Sequence, residues 1–407
     1  MTRILRNSPI FALASVACGL NISRRNVLQN HLFGAIASSF PFAAETNAHE
    51  LPTTPSTTNT PISAAESTGV LWRTETGVAL PATPNSLSTI IKNEVLGALS
   101  KYSTGIICIS ERHDDYEHHK VQLKIMMTIK KVLKERVQKV DQKFSIGMEM
   151  FQRKHQPYLD KYIAAGSPSA TGNDEYTLQD LERDTSWDTN WGYDILHYVP
   201  LLFFARESGI RLLGLHPSDA LVSMVEEKGL AGVPASIIDG VCVKDKGHRA
   251  DFEMQAAHRM SLADFGGCKE AMEMEIFRQY EVQCFREEYM AQSVAIQMAK
   301  QPDGWVAVLA GERHISGRVG LPFRTLIRVA NLRNKQENAA KAAEDIANRG
   351  VFVIIPKTIT FPMKAKEAPD MKFADYVWFV QRDPSTRFHE DEVNPAPARK
   401  MLSQSTA

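Results

Sequence analysis

Two apolar runs, about two hundred residues apart, break off into the same three residues. Gly105-Ile106-Ile107-Cys108-Ile109 leads into Ser110-Glu111-Arg112-His113, and Trp305-Val306-Ala307-Val308-Leu309-Ala310 leads into Gly311-Glu312-Arg313-His314. A short, continuously apolar run bounded by turn residues reads as a strand buried on both faces, the appearance of strands in parallel sheets. Open parallel sheets carry their ligands outside the carboxyl ends of the strands. Two such strands in one sheet would bring both histidines and both glutamates to one rim, a set suited to holding a metal or to acid–base work.

The rest of the chain supports a sheet of this kind. Helical spacing over 116–140, a strand over 144–150, a helix over 156–164 and a helical stretch over 193–208 lead into a strand over 210–215. Helices over 218–227 and 269–300 follow; the second has no Gly or Pro in about 30 positions, which favours one long helix. A strand over 305–310, a helix over 336–348 and strands over 351–355 and 375–380 complete the alternation. This predicts an α/β fold: a mostly parallel central sheet with helices on both faces, and a helical cap subdomain over about 241–300 at the sheet edge. No fixed-period repeat, phosphate-binding P-loop or strand-adjacent GxGxxG occurs.

The termini read differently. The first 44 residues contain no Asp or Glu but carry Arg3, Arg6, Arg24 and Arg25. Residues 1–48 therefore read as a targeting segment. Its apolar stretches, 10–20 and 27–44, are short of a membrane span, so no stable span is expected after processing. Ser23-Arg24-Arg25-Asn26-Val27-Leu28 resembles a twin-arginine signal, and the apolar stretch ahead of it suits a two-stage address into a plastid and then the thylakoid lumen. A single signal for a periplasm or for secretion is the alternative. Residues 49–84, rich in Thr, Ser and Pro, read as a disordered linker, 85–382 as the folded domain, and 383–407 as a loose tail.

With 47 basic and 47 acidic residues, no global field argues for nucleic acid. Cys108, Cys242, Cys268 and Cys284 remain after the targeting segment, none in CxxC spacing. Cys108 and Cys284 lie in apolar patterns, and the sequence leaves a Cys242–Cys268 disulfide open.

Three segments concentrate chemistry. The run from Glu111 to His119 packs acids and imidazoles after the first strand; adjacent His118 and His119 diverge by about 100° on a helix, so both cannot serve one ion. Glu149, near the end of the apolar strand Ser145-Ile146-Gly147-Met148-Glu149-Met150-Phe151, is costly to bury unless paired or bound to a cation. A salt bridge to Arg112, Arg153 or Arg313 is the competing account. His314 follows Gly311, and His216 follows a further strand, where it serves equally as a helix-entry residue. Arg112 and Arg313 would lower the carboxylate pKa values and hold an anionic group such as a haem propionate. Trp187, Trp191, Tyr193, Tyr198, Phe203 and Phe204 read as core rather than a cofactor box.

Taken in order, these residues form a pattern. Glu111-x-His113-Asp114, His118-His119-x-x-Gln122, Gly147-Met148-Glu149-Met150-Phe151 with Gln156 and Leu159-Asp160, and Tyr198-x-Pro200-Leu201-Leu202 come first. Gln283-Cys284-x-x-Glu287-x-x-Met290-Ala291, Leu309-Ala310-Gly311-x-x-His314 and Gly320-Leu321-Pro322 complete it. The series, spanning about 105–328, resembles the ChaN-like haem-binding family, within a superfamily that includes Tiki, TraB and erythromycin esterase-like proteins and whose hallmark is a paired GxxH. The resemblance implies an α/β sheet with a helical cap, haem as cofactor and a possible homodimer.

From the Tiki and TraB side it implies instead a divalent-metal-dependent hydrolase, with a small molecule or peptide as ligand. Glu111, His113, Glu149 and His314 would then bind Mn, Fe or Zn or activate water. As haem residues the resemblance and the charge pattern point to His113, His314, Arg112 and Arg313. The chain departs from the pattern at Ser110, where the first GxxH has Gly, at Glu312, often Asn, and at Glu287, usually Asp. It also lacks a lipoprotein cysteine.

Overall fold

The structure, a computed structural model, describes residues 69–95, 105–135, 143–166, 176–237, 252, 260–301, 304–318, 320–333, 351–359 and 374–381. Along the strands, successive side chains go to opposite sides, and this alternation builds two cores. Ile107, Ile109, Ile146, Met148, Ala307, Leu309 and Ile354 face one way; Ile106, Cys108, Val306, Val308, Leu213, Leu215 and Val353 face the other.

The strands are β1 (Val70–Arg73), β2 (Val78–Pro81), β3 (Ile106–Glu111), β4 (Phe144–Gln152), β5 (Arg211–His216), β6 (Trp305–Gly311), β7 (Val351–Ile359) and β8 (Tyr376–Gln381). They form one sheet of order β2-β1-β8-β7-β3-β6-β4-β5. From β8 to β5 every neighbour pair is parallel; β1 and β2 add an antiparallel hairpin at the β8 edge. The expected mostly parallel sheet is therefore present, as part of a mixed one.

On the first face lie α1 (Pro84–Ile90), α2 (Tyr116–Lys134), α3 (Gln156–Ala164), α4 (Leu178–Thr185) and α5 (Val199–Glu207). The other face is covered by α7 (Lys269–Lys300) and α8 (Leu321–Arg333), with α6 (Asp219–Lys228) packed beside α7. The helical spacing over 193–208 resolves into a 3-10 turn, Ile195–His197, followed by α5. Pro200 explains the division, since it lacks an N–H and fits the first helical turn but not an interior.

β6 lies between β3 and β4 in the sheet. Two expectations are corrected. The hairpin β1–β2 falls inside the stretch expected as linker, so ordered structure begins before residue 85. The long helix is not simply a cap: Met290, Ala291, Val294, Ala295 and Met298 of α7 form a broad apolar stripe on the sheet face, while Val282 and Phe285 pack against Val222 and Val225 of α6. The targeting segment, the helix expected over 336–348, the tail and Cys242 lie outside the described residues. Cys108, Cys268 and Cys284 are thiols. Among the described residues no helix is long and apolar enough to cross a membrane.

Candidate functional site

Placing β6 between β3 and β4 brings three strand ends to one rim. Glu111 closes β3 opposite Gly311 of β6, and Glu149 follows Met148 of β4, which is registered with Leu309. The connections after β6 and β4 leave in opposite directions, so the rim is a topological switch point.

Glu111 is only 1% exposed, yet its carboxylate is saturated with partners. Oε1 takes the Tyr198 hydroxyl at 2.7 Å and lies 2.8 Å from His113 Nδ1; Oε2 takes Gln122 Nε2 at 2.8 Å. Burial opposes ionisation here, but His119, His113 and Gln122 together outweigh it and hold the carboxyl below its ordinary range. The same burial pushes Tyr198 well above the normal phenol value, helped by Glu111, so Tyr198 stays a neutral donor.

His118 and His119 support the turn rather than share an ion. Burial pushes His118 down to about 4, and its neutral Nδ1 accepts the Arg112 backbone N–H at 2.9 Å. His119 Nε2 donates to the His113 carbonyl at 3.2 Å. Asp115 accepts the Glu117 N–H and so starts α2 immediately after the turn.

The second acid, Glu149, is paired in the same manner. Its Oε2 accepts the Gly311 N–H at 2.7 Å, and Oε1 lies 3.2 Å from His314 Nε2. Burial is again outweighed, first by His314 and then by His113 and His216, and the carboxyl is held far below its ordinary range. His314 reads the converse: burial lowers it, but Glu149 and Glu287 overcome that and raise it to about 9. Behind His314, Glu287 Oε1 is 3.4 Å from Nδ1 and accepts Gln283 Nε2 at 2.6 Å. Arg324 then bridges Glu287 at 3.1 Å and Glu288 at 2.8 Å, and Arg328 pairs with Glu288 at 2.7 Å.

Gly311 is required for space, since its backbone angles are ordinary for a residue in extended conformation. A Cβ there would stand 2.9 Å from His113 Nε2 and 3.5 Å from Glu149 Oε2. Gly311→Ala is expected to cost about 1–3 kcal/mol by forcing the two side chains apart. Urea unfolding checks this; an unchanged midpoint would mean that His113 swings aside freely.

The four rim residues thus meet as two carboxylate–imidazole pairs, Glu111–His113 and Glu149–His314. Among the described residues no group of three or more His, Cys, Asp or Glu side chains is arranged to hold a metal ion. The expected metal set is present but its members bond one another. Burial and Arg286 push His216, at the end of β5, down to about 3, and its Nδ1 donates to the Pro217 carbonyl at 2.8 Å.

Arg112 and Arg313 do not act as expected on the carboxylates. Both are exposed, Arg112 pairs with Asp114 at 3.4 Å, and the acids are stabilised by histidines. Glu312 adds no free charge, because Lys357 binds both its oxygens at 2.6 and 2.7 Å. Two aromatics expected in the core belong to the site: Trp191 meets His113 edge-on at 4.7 Å, and Tyr193 lies 5.0 Å from it. Only Tyr198 among the aromatics had a sequence signal, through its place in the ordered series. Nothing in the local pattern distinguished Trp191 and Tyr193 from Trp187, which is buried core.

Comparison with solved structures finds the same fold in ChaN of Campylobacter jejuni, described with cofacial haem binding. The TM-score is 0.50 at 17% identity, covering 76% of this chain and 95% of that one. Weaker likenesses are to the type III effector HopBA1 (TM-score 0.36, 11% identity, 71% and 92% covered) and erythromycin esterase EreC (0.32, 14%, 69% and 77%). No curated protein matches the chain. The family model described as haem-binding uptake, Tiki superfamily, ChaN matches residues 99–324, over half the sequence, and the chain belongs to that family.

Proposed function

We propose that the protein binds haem at this rim. The carrying observation is His113, whose Nδ1 is engaged by Glu111 while its ring packs against Trp191 and Tyr193, which also contact each other. A carboxylate on one imidazole nitrogen orients the ring and leaves the other for a ligand. Imidazole and phenol are iron ligands, and flat aromatic walls suit a planar macrocycle. This donor set fits haem: His113 would face the iron, and Tyr193 and Trp191 would flank the ring system. The iron would supply redox or carrier chemistry, while the protein's part is to bind, orient and shield.

Titrating the purified protein with haemin should produce a Soret band, with affinity lowered at least about tenfold in His113→Ala, the size expected for an iron ligand or its orienting partner. His314→Ala should weaken it less. No haem-dependent absorbance at micromolar protein would sink the proposal.

A second reading is favoured by one observation, the two carboxylate–imidazole pairs built on buried acids, which are the parts of an acid–base hydrolase. His314, raised to about 9, would act as acid and the Glu111–His113 pair as base. With a divalent ion, the pairs would first have to open. Turnover of an ester and peptide panel, with and without added Mn, supports this reading, and no turnover in either condition discards it.

We also infer plastid import and thylakoid-lumen delivery from the acid-free, arginine-bearing first 44 residues. Import of the full chain into isolated chloroplasts, followed by fractionation, tests it; a product left outside the organelle points instead to a periplasmic or secreted protein. A haem-linked homodimer follows from the same family reading, and sedimentation with and without haemin distinguishes it from a monomer.

A further inference from the structure

Beyond Met148 the strand that carries Glu149 leaves its neighbour and comes back. Met148 is registered with Gly214 of β5, and the next registered pair is Gln152 with His216. That is four positions along β4 against two along β5, so β4 carries two extra residues there. Met150 and Phe151, adjacent in sequence, both pack into the core on the first face, which the alternation of a regular strand does not allow. Irregularities of this kind re-aim a side chain. Glu149 is the first residue of the irregular stretch, and from there it reaches Gly311 and His314.

Both ends of this excursion are fixed at one place on β5. The chain leaves from Met148, opposite Gly214, passes through the 3-10 turn Arg153–His155 and starts α3 at Gln156. The Gln156 side chain then returns to Gly214. Its Oε1 accepts the Gly214 N–H at 3.1 Å, and its Nε2 donates to the Leu212 carbonyl at 2.8 Å. The amide has one orientation, because Nε2 also donates to Asp160 Oδ1 at 2.8 Å. Asp160 is itself held by Arg211 through two hydrogen bonds of 3.0 Å. Gly214 supplies the seat: a Cβ there would stand 2.5 Å from the Gln152 carbonyl oxygen, so the returning chain lies directly on it. Arg153 ties the same excursion to α7, through Ser293 at 2.7 Å and Gln292 at 2.8 Å. The Arg153 grip sets its distance from α7, and the Gln156 clasp sets its place along β5. Without the clasp, a main-chain donor and acceptor of β5 lose their partner and the excursion is free to shift.

We propose that Gln156 is a positioning residue of the rim. Its clasp on Leu212 and Gly214 holds the β4 excursion where Glu149 meets the Gly311 N–H and His314. It acts through the backbone between residues 149 and 156. The assignment does not depend on what the rim binds, so it stands or falls apart from the haem reading.

Amide hydrogen exchange of the full chain, followed at single-residue resolution, reads this directly, because the acceptor of the Gly311 N–H is Glu149 Oε2. Gln156→Leu should speed exchange at Gly311 about tenfold more than at Val308 and Leu309 of the same strand, the size of one hydrogen bond. A loss of stability alone would speed all three alike; that result, or no change at Gly311, overturns the proposal.

In Glu149→Ala the Gly311 N–H has already lost its acceptor. Adding Gln156→Leu should then leave Gly311 unchanged relative to Val308 and Leu309, and a further selective acceleration would also overturn the assignment. Should Gln156→Leu not fold, Gln156→Glu carries the comparison, since it keeps an acceptor for the Gly214 N–H and loses the donor to Leu212. A smaller selective acceleration at Gly311 is expected there, and none would count against Gln156.

Discussion

Arg324→Met will lower stability by about 3–5 kcal/mol, the range for breaking a buried ion pair from one side. Arg324 is 3% exposed and holds two carboxylates that are nearly as inaccessible, Glu287 at 3.1 Å and Glu288 at 2.8 Å. Its Nη2 also reaches Cys284 Sγ at 3.2 Å. Removing it strands negative charge inside the layer between α7 and α8. The full desolvation cost of two bare carboxylates is not reached, because Glu288 keeps Arg328 at 2.7 Å and Glu287 keeps His314 at 3.4 Å. Glu287 is the one left worse paired, so adding Glu287→Gln to the variant should recover part of the loss. Urea unfolding of the single and double variants measures both; a single-variant loss under about 1 kcal/mol would mean that water enters the layer and solvates the acids.

That network also shows what a sequence displays and what it hides. The long helix was legible because about 30 positions without Gly or Pro leave few alternatives, and α3 over 156–164 because Pro157 fits only a first turn. The strands were legible as continuous apolar runs. Their order was not, since nothing local to 105–111 or 144–152 records that β6, formed far later in the chain, slides between them. The β1–β2 hairpin was hidden for the same reason. Each strand has four residues in a Thr- and Pro-rich stretch, and β1 is stabilised by pairing with β8 some three hundred residues away.

Within the site, Glu111, His113, Glu149 and His314 were identifiable because polar residues at the ends of apolar strands must be accounted for. The direction of Arg112 and Arg313 was not, because a side chain leaving a strand end can turn outward as easily as inward. Ser110 illustrates a departure from the family pattern with a visible consequence: its hydroxyl is buried and lacks a hydrogen-bond partner among the described residues.

The Glu149–His314 pair makes a pH profile the sharpest test of how the rim is charged. His314 is raised from 6.5 to about 9, so its contribution is fully present below about pH 6.5 and is lost as pH rises through about 9. Glu149 moves the other way: held below its ordinary 4.5, it contributes above that value and loses its contribution as pH falls through its depressed folded value. The pair therefore stabilises most between about pH 4.5 and 6.5. The raised His314 value, which Glu149 and Glu287 produce together, corresponds to on the order of 3 kcal/mol there.

Glu149→Gln keeps the shape and can still accept the Gly311 N–H, but removes the charge. Near pH 6 the variant should be less stable than wild type by about 1–3 kcal/mol; near pH 10, with His314 neutral in both, the gap should shrink by most of that amount. Glu287 keeps His314 partly raised in the variant, so some alkaline slope persists. Urea unfolding at the two pH values decides it, and a gap that does not change with pH would mean that His314 is neutral in the folded protein throughout.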